Sequence, residues 1–336
     1  MGTSSLPPFF VEVSIAACVA AFGITALVQS LPAAPASEQG SVAAKTSSDE
    51  GSGGTSEESA TGSAAGNEAK PARHGEQVVR FDTLGHDIVV TGSRLSDDDL
   101  REQLQRFRRN VRPFENSGQR LGVYIHNLTT GATVSYNADE PFYSASSIKA
   151  PYCLAVYERA VDPGIVPAGE IAHLTELTLV ESDNDTYQEL SERCGRQVFV
   201  DWAVDCGALE KDSEAYHQLI VNRHWFISPR QLGTMWEHGY DYLQAGSDGA
   251  EELKGYLERR YDSPLRDGLP ADATTYAKAG WYPEDLGPDY CATVDAGIAR
   301  IKGYDYVIAV MTSMPADLDR LSRLMPGVLS ARSVTA

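Results

Sequence analysis

The chain reads as an α+β fold, a five-stranded antiparallel sheet flanked by terminal helices and joined to an all-helical lobe, with a cleft between the two. Three observations predict it. A β-hairpin pattern stands early, with strands over Leu121 to His126 and Ala132 to Tyr136 and the turn Asn127-Leu128-Thr129-Thr130-Gly131 between them. Helical patterns then dominate from Ser146 to about Tyr261. Strand patterns return over about Thr274 to Ala279, Ala292 to Ile301 and Tyr306 to Ser313. Strands from both ends of the chain must meet in one sheet, so the intervening helices have to pack as a second layer or lobe.

The elements follow in chain order. Residues 1–32 are mostly apolar from Phe9 to Leu31. This is either a signal peptide, with Ala34-Pro35-Ala36 as a small-residue cleavage site, or a retained membrane anchor in contact with lipid. The first Lys or Arg is Lys45, so the usual basic n-region is missing. Residues 33–75 are rich in Ala, Ser, Gly and Glu and hold almost no large apolar residue. Such a segment cannot bury enough surface to offset chain entropy, and it reads as a disordered linker. Residues 76–336 form the globular domain. Ser96 to Val111 reads as a helix with Ser96 as N-cap, Asp97, Asp98 and Asp99 at its positive end, and Leu100, Leu104, Phe107 and Val111 on one face. Ser228-Pro229 opens a later helix, and a last one covers about Ala316 to Leu324.

Composition excludes several functions. The formal net charge of −19 disfavours nucleic acid as a partner, because phosphate would be repelled. The five cysteines include no C-x-x-C pair and the seven histidines are scattered, so no metal or other cofactor is expected. In an exported domain Cys194 and Cys206 are the preferred disulfide pair, with free buried thiols as the alternative. Neither a Gly-x-Ser-x-Gly elbow nor a phosphate loop is present.

Three short stretches carry chemistry. In Ser146-Ser147-Ile148-Lys149, serine and lysine three apart on a helix share a face. A desolvated lysine can then serve as the base that serine needs to become a nucleophile. The N–H of Ser146 at a helix start suits an oxyanion. In Ser182-Asp183-Asn184, a second hydroxyl can relay a proton and an amide can orient a substrate amide. Taken alone this stretch suits a helix cap equally well. In Lys278-Ala279-Gly280-Trp281, a strand can dock a substrate backbone, Gly280 permits close approach, Trp281 N–H is a second oxyanion donor, and Lys278 is placed to bind a carboxylate.

In this order, the three stretches resemble the signature of class A β-lactamases and penicillin-binding proteins, Ser-x-x-Lys, Ser-Asp-Asn and Lys-Thr-Gly. Leu121-Gly122-Val123-Tyr124-Ile125, Phe142-Tyr143-Ser144-Ala145 and Ile227-Ser228-Pro229 are also similar to the family's pattern, and the likeness spans about Leu100 to Leu324. The resemblance implies Ser146 as acylated nucleophile, Lys149 as its base, Ser182 as proton shuttle, Asn184 as amide clamp and Lys278 as carboxylate site. The substrate class it implies is a β-lactam or a peptidoglycan-derived peptide, with no cofactor.

Two departures follow. Ala279 stands where the family has Thr or Ser, and the family's Glu-x-x-Leu-Asn of the omega loop is absent. That loop glutamate positions the water which clears the acyl-enzyme. Glu214, with Gln218 four residues on, is the substitute the sequence offers, and Glu210 is the next. The expected activity is therefore an exported, extracellular or membrane-tethered serine hydrolase of β-lactams. The alternatives are a D,D-peptidase and a domain that sequesters β-lactams by slow deacylation.

Overall fold

The computed structural model describes residues 75–259 and 262–336. The chain divides into two units, Met1–Gly66 and Asn67–Ala336, and every described residue lies in the second. The expected signal peptide or anchor, and all but the last residue of the expected linker, lie outside the described residues. No helix among the described residues is long and apolar enough to cross a membrane.

The order begins with β1 (Glu76–Val79), β2 (Ile88–Thr91), α1 (Asp97–Gln103), α2 (Gln105–Glu115), β3 (Leu121–Asn127), β4 (Thr133–Tyr136) and β5 (Phe142–Tyr143). The helical part holds α3 (Lys149–Val156), α4 (Ala168–Val180), α5 (Asn184–Cys194), α6 (Gln197–Asp205) and α7 (Glu214–Val221), then β6 (Phe226–Ile227), α8 (Pro229–Gln244), α9 (Asp248–Glu258) and α10 (Pro264–Asp267). The chain closes with β7 (Thr274–Tyr282), β8 (Ala292–Ile301), β9 (Tyr304–Thr312) and α11 (Leu318–Val328).

Among the described residues the main sheet is antiparallel and has seven strands, in the order β1-β2-β4-β3-β9-β8-β7. Five of them are the expected ones. The two extra strands, β1 and β2, extend the edge beyond β4. They are four residues each, too short for a periodic pattern, and pairing rather than local pattern defines them. The β3–β9 pairing joins the early hairpin to the late strands.

The expected first helix is broken at Leu104, which ends α1 and begins α2. Its face is nevertheless the one expected, for Leu100, Leu104, Phe107 and Val111 are all buried. Ser96 caps α1 by accepting from Asp99 N. Ser228 caps α8 in a reciprocal pair with Gln231, behind Pro229. The sheet separates two cores. Val123 and Ile125 of β3 face the layer of terminal helices, while Tyr124 faces the helical lobe. All four described cysteines are free thiols, so the Cys194–Cys206 pairing does not form. The two residues sit at the ends of successive helices. The length of α6 alone separates them by about 14 Å, well past the reach of a disulfide.

Candidate active site

Ser146 sits in a single 3-10 turn, Ala145–Ile148, which runs directly into α3. The residue before it, Ala145, has φ 43°, a left-handed conformation that costs energy for any residue with a Cβ. Two strands hold this turn. On one side β5 pairs with β6, and Ser144 extends the pairing by donating its N–H to Trp225 O at 3.0 Å. On the other side lies β7, the edge strand of the main sheet, buried along its middle. A Cβ at Gly280 would fall 2.5 Å from the backbone nitrogens of both Ser146 and Ser147. The close approach that requires glycine is therefore to the Ser146 turn itself. Being near the start of its turn, Ser146 N–H has no acceptor within the turn, which leaves it available to an oxyanion.

The three stretches predicted from sequence converge. Lys149, fully buried, donates from Nζ to Ser182 O at 2.6 Å, Asp183 O at 3.2 Å and Asn184 Oδ1 at 2.7 Å. Lys278, also fully buried, donates to Ser182 Oγ at 2.7 Å and to Ala279 O at 2.8 Å. Ser182 is thus held by two lysines from different elements, one on its carbonyl and one on its hydroxyl. Ser182 itself has φ 58°, a second strained position in the same cluster. Asp183 explains the turn that follows. It is the N-cap of α5, its side chain accepts from Thr186 N at 2.7 Å, and that bond holds its carboxyl below the usual range. Asn184, the first residue of α5, keeps its side chain on the Lys149 side. The amine of Lys149 is hydrogen-bonded to this loop.

Trp281 follows Gly280 on β7 and is partly exposed, in register with Thr293 of β8. Ala279, which stands in place of a hydroxyl residue, is fully buried opposite Asp295. Glu214 is not brought to the cluster. It is the first residue of α7, exposed, behind the Ser213 cap. With Glu210 it lines a cavity of about 640 Å³ shared with Asp139, Trp225 and Gln231, and Ser146, Lys149, Ser182 and Lys278 take no part in that lining. Gln218, its expected partner, instead accepts from Asn222 Nδ2 at 2.8 Å.

The residue that sequence reasoning missed on this side is His224. Its ring packs at a tilt, 5.5 Å from the Tyr187 ring and 6.4 Å from that of Tyr143. The Tyr187 ring also lies 5.5 Å from Lys149 Nζ. Burial, reinforced by the positive charges of Lys149, Arg223, Arg196 and Lys278, pulls the His224 pKa down to about 3. A lone histidine in an irregular segment carries no spacing that could have announced it.

An antiparallel sheet with a helical lobe and a Ser-x-x-Lys turn is the arrangement that the class A β-lactamase and penicillin-binding resemblance implies. The sequence model of the β-lactamase enzyme family matches residues 99–171 and 167–326, and the chain belongs to that family. Solved structures agree in fold. A mutant of PBP-A, described as an acyl-enzyme complex with penicillin G, is similar with a TM-score of 0.53 at 23% identity over 70% of this chain and 95% of that one. An ancestral class A β-lactamase gives 0.53 at 22% identity over 70% and 100%. The β-lactamase from Streptomyces albus G gives 0.51 at 21% identity over 67% and 98%. Among curated protein sequences no match is found.

Proposed function

We propose that this chain is a serine hydrolase that is acylated at Ser146 and opens a β-lactam or a related amide. The observation that carries the reading is the convergence of Lys149 and Lys278 on Ser182, which ties the three motif stretches into one cluster. In the acylation step the Ser146 hydroxyl attacks the amide carbonyl carbon while its proton passes to Lys149. A neutral amine is required for this, and a buried amine beside a second ammonium is the setting in which neutral lysines occur. The oxyanion is received by the N–H groups of Ser146 and Trp281. The proton taken up by Lys149 passes through the Ser182 hydroxyl to the leaving nitrogen, which leaves Lys149 neutral in the acyl-enzyme. Asn184 orients the substrate amide, and Lys278 binds the substrate carboxylate. The PBP-A likeness supports the same choice of substrate, since that protein's mutant is described with penicillin G bound covalently. The apolar stretch from Phe9 to Leu31 supports export as the setting of the reaction.

Intact-mass measurement after incubation with penicillin G tests the proposal. The expected result is a mass increase of one penicillin on the wild type and none on Ser146→Ala. A wild type that takes up no label, or a Ser146→Ala variant labelled equally, overturns it.

A further inference from the structure

Hydrolysis of an acyl-serine needs a group that activates water, and the residue offered by sequence, Glu214, lies on another cavity. The segment between α7 and β6 nevertheless reaches the Ser146 turn. Ser144 N–H donates to Trp225 O at 3.0 Å, and Trp225 N–H donates to Ser144 Oγ at 3.3 Å. These bonds continue the antiparallel pairing of Phe142 with Ile227 and Tyr143 with Phe226. One residue beyond the Ser144–Trp225 pair lie Ala145 and His224, with Ser146 next in the chain.

The segment is clamped. Tyr187 donates to Arg223 O at 3.1 Å, and Arg196 donates from Nε to Leu219 O at 2.7 Å and from Nη2 to Asn222 O at 2.5 Å. Within this rigid frame His224 Nε2 is buried and has no hydrogen-bond partner among the described residues. An unmet buried acceptor is costly, and a water molecule is the usual means of satisfying it. The Tyr187 ring centroid lies 5.5 Å from both the His224 ring and Lys149 Nζ. One ring thus contacts both His224 and the amine that serves Ser146.

We propose that His224 is the base of the hydrolytic half-reaction, its Nε2 accepting a proton from the water that attacks the acyl-Ser146 ester. The inference rests on Ser146 being the acylated residue. The imidazole is neutral at pH 7, because burial and the positive charges of Arg223, Arg196 and Lys278 disfavour its protonated form. With the ring proton on Nδ1, the Nε2 lone pair is the acceptor. Water oxygen bonds to the acyl carbon, and one water proton moves to Nε2. The tetrahedral intermediate then collapses with breakage of the bond from carbon to Ser146 Oγ. That oxygen takes up the proton that His224 accepted, passed on through the Lys149 amine, which is neutral after giving its own proton to the leaving nitrogen. The acid product leaves, with Lys149 and His224 both neutral again. The site is thereby restored.

The test is a pre-steady-state comparison of wild type, His224→Gln and His224→Ala with nitrocefin and penicillin G, reading acylation by stopped flow and adduct lifetime by intact mass. Both variants should be acylated within a few-fold of the wild-type rate, which also reports that the site is folded. Their adducts should persist roughly 10²–10⁴ times longer. Added imidazole should shorten the adduct lifetime of His224→Ala, an effect that a merely structural role would not produce. Deacylation of His224→Gln at the wild-type rate overturns the proposal. So does a wild type whose adduct does not turn over. A wild type that is never acylated overturns the Ser146 reading instead, and this one falls with it.

Discussion

On one side of Ser146, four side chains from three distant stretches are cross-braced by short hydrogen bonds. Lys149, Ser182, Asn184 and Lys278 each make at least one polar contact with another member of the group. On the other side, Trp225 meets the same turn through its hydrogen bonds to Ser144, tilted rings pack beside it, and His224 has an unmatched nitrogen. The first side is closed and self-satisfied, as groups that must hold a bond-forming geometry need to be. The second leaves an acceptor open, as a group awaiting a mobile water needs to. Attack on the substrate and release of the product thus make different structural demands, and the two sides answer them separately.

Several measurements can break or sharpen that contrast. The largest effect is expected for Ser146→Ala, which should abolish covalent labelling by penicillin G in an intact-mass experiment. Lys149→Met should follow, slowing acylation by roughly 10²–10⁴ as judged by nitrocefin burst kinetics. If Lys149→Met is acylated at the wild-type rate, the braced side is scaffold and not machinery.

The open side should show itself in stability against pH. Folded His224 stays neutral down to about 3, while the unfolded chain takes up the proton near 6.5. Between those values the unfolded state binds the extra proton, so stability is whole above 6.5 and falls as pH drops through the window. At a pH of about 5 the loss is about 2 kcal/mol. His224→Gln removes this component, and its melting temperature should fall less than that of the wild type between neutral pH and about pH 5. Parallel curves for the two proteins would contradict the burial of a neutral ring.

Gly280→Ala should cost about 1–3 kcal/mol in denaturant unfolding, because its Cβ meets backbone nitrogen that cannot swing aside. An unchanged midpoint would mean that β7 is not pressed against the Ser146 turn. The smallest effect is expected for Glu214→Gln. An exposed carboxylate away from the cluster should alter nitrocefin turnover by no more than about twofold, in line with an ordinary surface exchange. A large loss there would move the water-activating role back to α7.

What the sequence determined by itself was whatever has a local or linear signature. The face of the first helix, the Ser96 and Ser228 caps, the central hairpin and the late strands all follow from period and capping chemistry, and the structure bears them out. The braced side of the site was legible for the same reason. Serine and lysine one helical turn apart, a Ser-Asp-Asn cap and a lysine on an edge strand each need a fixed spacing, and spacing is what a chain displays. Tertiary structure alone decided the rest. The edge strands β1 and β2 exist because β4 offers them a partner. The break at Leu104 and the separation of Cys194 from Cys206 depend on how whole helices lie. His224 becomes neutral and unpaired only when the chain returns to Ser144 and Tyr187 closes over it. Burial and charge at a point in space are sums over neighbours remote in sequence, so no local pattern can carry them.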